Sequence, residues 1–465
     1  MGTVGLSFGS PTSGAGFDVA STVSQIVANM RNVETPWKNQ LTSLQNQDTV
    51  LTQIGSDLST LSSDLQQLTD PQGSLFTKDG SSSDTSVVTI TNSDSTAIAG
   101  SHTIIVSQLA QTASDVSDVI AGSGDTLSGS LTINGKTLNI DSADNDTTLS
   151  SLVTAINSGS YGVAASVITD SSGSRLSLVS NTSGAGGAIT ISSGMQDTTS
   201  GSSIGFSQAQ AGQDAKLTVD GVSITSASNS ISGAIPGITF QVLSTNTDTN
   251  PVQLQIVNDT SSAGKAITQF INDYNTVVKD LNSQEGKDSS GNPEPLFGSP
   301  TIATLQEQLQ SALNFTQSSG NITSLAQLGI SFSASGDGTL TLDNNGDTLN
   351  DALSYNLQDI TNLFQPGNGF TSFGDNLTSV LNSLGTSGTG TSDGLITLAL
   401  NENSSTESQL NTNISNEETT ITAQQTALTN ELNQANFVLT EIPQQIQNIN
   451  EIYSAITGFN EGQNG

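Results

Sequence analysis

Apolar positions along the chain change period twice, from helical spacing to strict alternation and back. Val19, Val23, Ile26, Val27 and Met30 recur on one helical face, and Leu51, Ile54, Leu58, Leu61, Leu65 and Leu68 follow at alternating steps of three and four. The second run has the pattern of a coiled-coil seam. Pro36 disfavours α geometry at the residue before it and predicts a separation between the two helices. Asp70, Pro71 and Gly73 predict the end of the second helix.

From about residue 77 to 260 the period becomes two, and segments such as Val87–Thr91, Thr103–Val106 and Gly237–Leu243 read as strands bounded by Gly, Ser and Asn. Asn134-Gly135 and Asp220-Gly221 each stand between alternating apolar runs, the dipeptides that tolerate positive φ in a tight hairpin. Leu149 to Asn157 predicts one short helix within this region, and Ser192 to Gly205 a flexible loop. Helical spacing resumes at Ile267, Phe270, Ile271, Tyr274, Val278 and Leu281, and again at Ile302, Leu305, Leu309 and Leu313, before a short strand in Gly338–Asp343.

The last segment repeats every seven residues at Ile414, Ile421, Leu428, Ala435, Ile442, Ile449 and Ile456, with Leu432, Leu439, Ile446 and Tyr453 between. Unbroken, such a helix would reach roughly 60 Å. Pro443 predicts two helical pieces instead. The expected fold is therefore multidomain α+β, with coiled-coil or helical-bundle legs from both chain ends and β-rich heads inserted between them. The expected parts are an N-terminal leg (1–48), a helical-bundle layer (49–76 with 263–409), an inner β-rich head (77–120 with 213–262), an outer β-rich head (121–212) and a C-terminal leg (410–465).

A two-stripe seam can close within one chain or between copies. The extreme ends lie beside polar, Gly-rich tails that offer little core. The expected self-association seams are Val23, Ile26, Val27 and Met30 at one end and Ile442, Ile446, Ile449 and Tyr453 at the other.

Composition narrows the partners. Nine Lys and Arg against 42 Asp and Glu give a formal charge of -33, which repels nucleic acid and anionic membranes. A third of the chain is hydrophobic and periodic, which pervasive disorder does not produce. Cysteine is absent, which excludes disulfides and thiolate chemistry. The first basic residue is Arg31, and neither a cleavable signal peptide nor a membrane-inserting helix is expected. Abundant Gly, Ser, Thr, Asn and Gln with few aromatics suits an extracellular surface protein, which without a signal requires a dedicated exporter.

No chemistry-bearing constellation survives inspection. Asp343, Asn345 and Asp347 are spaced as in a calcium loop, but Thr348 and Ser354 stand where the Gly and the final Glu belong. Asp141, Asp144 and Asp146 read as a solvated hairpin exit, and Gly184, Gly186 and Gly187 as a turn. His102 is the lone histidine, with no nucleophile motif near it. Trp37 lies in a helical end, leaving few aromatic platforms for sugar. No catalytic, cofactor-binding or metal-binding residues and no cofactor are expected.

Several segments resemble one family in order. FDVASTVSQIVANMRNVETPW, with Asp18-Val19 and Glu34 to Pro36, is followed by AGSHTIIVSQLAQTAS, with Gly100 and Gln108-Leu109-Ala110. An Ile156-Asn157 insert, SNSISGAIPGITFQVLS from Ser228 to Ser244, and FINDYNTVVKDLN with Phe270, Tyr274 and Asn275 come next. Ser324–Phe332 and Gly338–Leu353 complete the series. Over nearly its whole length the chain resembles the flagellar filament cap family, called hook-associated protein 2 or FliD. Departures are ends poor in Lys and Arg, Pro443, and an unmatched tail after Phe459.

The resemblance implies a non-enzymatic cap of several copies at the filament tip, with legs toward the growing end and heads forming a plate. It implies flagellin as partner, folding and inserting beneath the cap, with the terminal seams self-associating or facing flagellin. It further implies contact with hook-filament junction proteins and passage through the flagellar type III export apparatus with a dedicated export chaperone. A secondary role in surface adhesion is compatible with an exposed head. A flagellin or junction protein would share the Ile-Asn insert but not the cap-specific order. A secreted adhesin or polysaccharide-binding protein would carry clustered aromatics, against the 4% here.

Overall fold

The computed structural model describes residues 16–120, 124–141, 147–365, 369–385 and 393–458. Helix α1 (Val19–Met30) opens on Asp18, whose Oδ1 accepts the Ser21 amide at 3.0 Å. A 3₁₀ turn (Arg31–Val33) leads into α2 (Glu34–Thr69), 36 residues or about 54 Å long. Pro36 is the third residue of α2 and does not itself separate the helices. In a first turn its missing N–H would have found no helical partner anyway, so the break falls just upstream. As the sequence predicts, Asp70 ends α2, its Oδ1 taking the Gln72 amide at 2.8 Å.

The β-rich middle then runs through β1 (Lys78–Ser82), β2 (Val88–Ser93), β3 (Gly100–Gln108), β4 (Thr112–Ser117), β5 (Leu127–Ile133) and β6 (Lys136–Ile140). Helix α3 (Leu149–Ser158) follows, then β7 (Val163–Asp170), β8 (Gly173–Ser183), β9 (Ile191–Ser193), β10 (Met195–Asp197), β11 (Ser203–Ile204) and β12 (Phe206–Gln210). It closes with β13 (Ala215–Val219), β14 (Val222–Ser226), β15 (Ser230–Ile235), β16 (Ile238–Val242) and β17 (Val252–Asn258). All the named pairings are antiparallel.

Sheets β1-β17-β3-β13-β14 and β15-β16-β2 share one core, centred on Ile104, Phe240, Leu254 and Ile256. Sheets β11-β10-β5-β6 and β12-β4-β8-β7 share a second core with α3, centred on Leu131, Leu152, Ile156 and Leu178. Both expected hairpins form, with φ of +49° and +79° at Asn134-Gly135 and +51° and +82° at Asp220-Gly221.

Ser192 to Gly205 is not a featureless loop, since it contributes to β9 and holds β10 and β11. Strands of two or three residues are too short to show alternation, yet Met195 and Ile204 are buried. Asp197 makes the turn between them, accepting from the Thr199 amide at 2.8 Å and the Ser200 hydroxyl at 2.6 Å. These bonds, led by the Ser200 hydroxyl, lower the Asp197 pKa.

The helical layer returns with α4 (Thr260–Ser283), α5 (Pro300–Leu313), the hairpin of β18 (Ile330–Phe332) and β19 (Leu340–Leu342), α6 (Asp347–Tyr355), α7 (Leu357–Phe364) and α8 (Phe373–Leu384). It packs with the second half of α2 into the largest core of the molecule. Leu51, Ile54, Leu58, Leu61, Leu65 and Leu68 are all at most 2% exposed there, and Phe364 meets Phe373 edge-on at 5.7 Å. Each such burial stabilises by roughly 1.5–3 kcal/mol.

Helix α9 (Leu395–Thr457) is a single element of 63 residues, about 95 Å long, and Pro443 lies inside it. The expected split into two pieces does not occur. Proline removes only its own bond to the Leu439 carbonyl, and on this largely exposed part of the helix water can serve that carbonyl. None of the described helices is long and apolar enough to cross a membrane.

Candidate functional site

The two chain ends run antiparallel. The Phe17 amide donates to Asn436 Oδ1 at 2.8 Å, Arg31 pairs with Glu418 at 2.8 Å, and Asn403 Nδ2 donates to Asp48 at 2.7 Å. A small core of Val19, Val23, Val27 and Ile421 lies between α1 and α9, joined by Phe17, Met30, Leu428 and Leu432. Glu34, at the start of α2, is fully buried. One of its carboxylate oxygens takes Lys38 Nζ at 2.6 Å while the other has no partner.

Beyond Asn436 α9 continues for 21 residues, about 30 Å. Phe437 is 61% exposed, Ile449 64% and Ile456 79%, with Val438, Ile446, Ile452 and Tyr453 also exposed. The structure thus treats the two predicted seams differently. Val23 and Val27 are buried against α9, Ile26 and Met30 are half-buried, Ile442 is half-buried, and Ile446, Ile449 and Tyr453 face solvent.

The polar groups considered for chemistry have structural partners. His102 Nδ1 lies 2.7 Å from Asp220 Oδ2, and the Thr103 amide donates to Asp220 Oδ1 at 2.8 Å, which fastens the β13–β14 turn onto β3. The Thr103 amide and then His102 hold the Asp220 carboxyl below its ordinary pKa. Asp343 accepts from the Thr348 hydroxyl, and Asp347 begins α6. Asp144 and Asp146 lie outside the described residues. Among the described residues no three acidic or histidine side chains gather as a metal site.

Sequence reasoning missed a set of asparagines that replace absent strand partners. Asn157 Oδ1 accepts from the Ala165 amide at 2.7 Å and its Nδ2 donates to the Ala165 carbonyl at 2.9 Å. Asn229 does the same at Ala110, at 2.7 and 2.9 Å, and Asn275 at Leu340, at 2.6 and 2.9 Å. A carboxamide has one donor and one acceptor side by side, as an extended residue does, so it can stand in for a neighbouring strand. All three lie in segments that carried the resemblance: the Ile-Asn insert, SNSIS and FINDYN. Asparagine at the edge of each such segment was the available signal.

Comparison with known families is decisive at this point. Residues 15–113 match the flagellar hook-associated protein 2 N-terminus, residues 212–451 its C-terminus, and residues 130–182 the flagellin hook IN motif. The chain belongs to the flagellar hook-associated protein 2 family. Flagellar hook-associated protein 2 of Escherichia coli K12 is 31% identical over 402 residues, spanning 80% of this chain and 84% of that one. The B-type flagellar hook-associated protein 2 of Pseudomonas aeruginosa PAO1 is 30% identical over 304 residues, spanning 59% and 63%. Among solved structures, the D1-D2-D3 domains of the flagellar cap protein FliD from Escherichia coli superpose with a TM-score of 0.58 at 30% identity, covering 76% of this chain and 99% of that one. Flagellar hook-associated protein 2 is a structural filament cap of the bacterial flagellum, and the N- and C-terminal matches decide against a flagellin, which would share the IN motif alone.

Proposed function

We propose that this chain caps the distal end of the flagellar filament as a homo-oligomer, retaining exported flagellin and guiding its folding and insertion. The observation that carries the reading is the far end of α9, where Ile446, Ile449 and Tyr453 continue an apolar repeat past the start of α1 and are exposed. Val23 and Val27 hold α1 against α9, while Ile26, Met30, Ile442, Ile446, Ile449 and Tyr453 face flagellin or a neighbouring copy. The leg pair belongs to residues 1–48 and 410–465, the helical layer to 49–76 and 263–409, and the two heads to the β-rich middle.

The work needs contact and no bond making, so the chain acts without a catalytic residue or cofactor. Helix α9 carries seven glutamates and no lysine or arginine, so like helices repel and their contacts remain weak enough to exchange as the cap advances. The chain reaches the tip through the flagellar type III apparatus, with a dedicated chaperone, and meets the hook-filament junction proteins before flagellin arrives. Deleting the gene and separating cell-bound from free flagellin tests this. Bald cells that shed monomeric flagellin, restored by this chain, are expected, and normal filaments on the deleted strain would overturn the reading.

A further inference from the structure

The two β-rich heads have separate cores. The inner one is built around Ile104, Phe240 and Leu254 and the outer one around Leu131, Ile156 and Leu178, and among the described residues none belongs to both. The chain crosses between them twice, from β3 to β4 and from β12 back to β13. At the crossings the Gln111 amide donates to the Gln213 carbonyl at 2.8 Å, and the Gln213 amide to the Gln111 carbonyl at 3.1 Å. On the inner side the crossings are well fastened. Asn229 holds Ala110, and Gln108 Nε2 donates to the Asp214 carbonyl at 2.7 Å. One bridged pair ties the heads at a point and leaves their mutual angle to other contacts.

A turn of the outer head supplies those contacts. Strand β8 ends at Ser183, whose hydroxyl donates to the Ala227 carbonyl at 2.6 Å. The Ala185 amide donates to Asp214 Oδ1 at 2.7 Å, and the Gly184 amide to the Gln111 carbonyl at 3.1 Å. Gly184 has a φ of +85°, and a Cβ there would lie 2.5 Å from Asp214 Oδ1 and 2.7 Å from the Ala227 Cα. A Cβ on Gly212 would lie 2.5 Å from the Gly184 carbonyl oxygen. Both glycines stand where one head's backbone closes on the other's. The contacts are polar and partly exposed, so water can take their place, which it cannot do for the buried leucines of either core.

We propose that this turn is the latch of a hinge between the heads. The Gln111–Gln213 bridge is the pivot, and the bonds of Ser183 and Ala185 to Ala227 and Asp214 hold the outer head at one angle. With the latch open the outer head moves as a rigid body, since no residue of its apolar core takes part in the latch. Gly184, legible in the sequence only as part of a turn, is the residue on which closure depends.

The chain has no cysteine, so Ser172→Cys at the exposed tip of the β7–β8 hairpin and Val222→Cys on the inner head, 63% exposed, carry spin labels at those two places alone. Electron–electron distance measurement on the full labelled chain should give one narrow distribution. Adding Gly184→Val, which fills the contact and strains the backbone, should widen that distribution about twofold or more, while hydrogen-exchange protection at Leu176 to Leu178 is unchanged. An unaltered distribution in that variant would overturn the latch, and so would a broad distribution without it. Should Gly184→Val not fold, Asp214→Ala with Ser183→Ala decides, because it removes two of the three bonds and adds no bulk. A second population at a new distance is then expected, rising by up to about tenfold for each bond lost, and a single narrow distribution would refute the proposal.

Discussion

Leu51 to Leu68 on α2 and Ile442 to Ile456 on α9 carry nearly the same spacing of apolar side chains, yet the first run is buried and most of the second is exposed. The first run is covered by α4, α7, α8 and the start of α9, and its six members are at most 2% exposed. The second run lies past the start of α1, and Ile449 and Tyr453 are 64% and 59% exposed. Periodicity therefore states that a face will be covered without stating by what. A closed seam is a property of the chain, and an open one a property of the assembly.

Mutation can break this contrast. Leu61→Ala empties part of the large helical core and should cost about 2–5 kcal/mol, seen as a lower denaturant midpoint for the layer in the isolated chain. Asn275→Ala strips the Leu340 amide and carbonyl of their partner and should cost about 1–3 kcal/mol in the same measurement. The smallest effect on stability belongs to Ile446→Asp with Ile449→Asp, expected to shift the unfolding of the isolated chain by no more than about 0.5 kcal/mol. That same pair should abolish rescue of filament growth in the deleted strain. Equal loss of stability in the Leu61 and Ile446/Ile449 variants would erase the distinction between closed and open seams.

Much of the architecture was legible because the responsible signals are local. Period changes marked the helical and β-rich regions, and Asn134-Gly135 and Asp220-Gly221 marked their turns, since positive φ is demanded there whatever surrounds them. Pro443 misled because the penalty of a helical proline depends on what its carbonyl neighbour can reach, which is a question of exposure. The short strands from Ile191 to Ile204 misled because burial of Met195 and Ile204 is conferred by distant elements. Asn229 is 119 residues from Ala110, so no local reading could have joined them. For the legs, the heptads picked out apolar side chains on α1 and α9, but only the register fixed by Phe17 and Asn436 shows where one helix outruns the other.

Helix α2 runs from the leg into the helical layer. Its first residues border the leg, where Glu34 is buried and Asp48 holds Asn403, and its last five turns are set into the helical layer. The element is hydrogen-bonded without interruption over about 54 Å, and its one glycine, Gly55, is buried at the core. Load applied at the leg therefore reaches the layer along two continuous helices, α2 and α9, while α1 joins α2 through the 3₁₀ turn at Arg31–Val33. Movement of the filament end beneath the cap would be passed upward as tilt of a stiff helix pair.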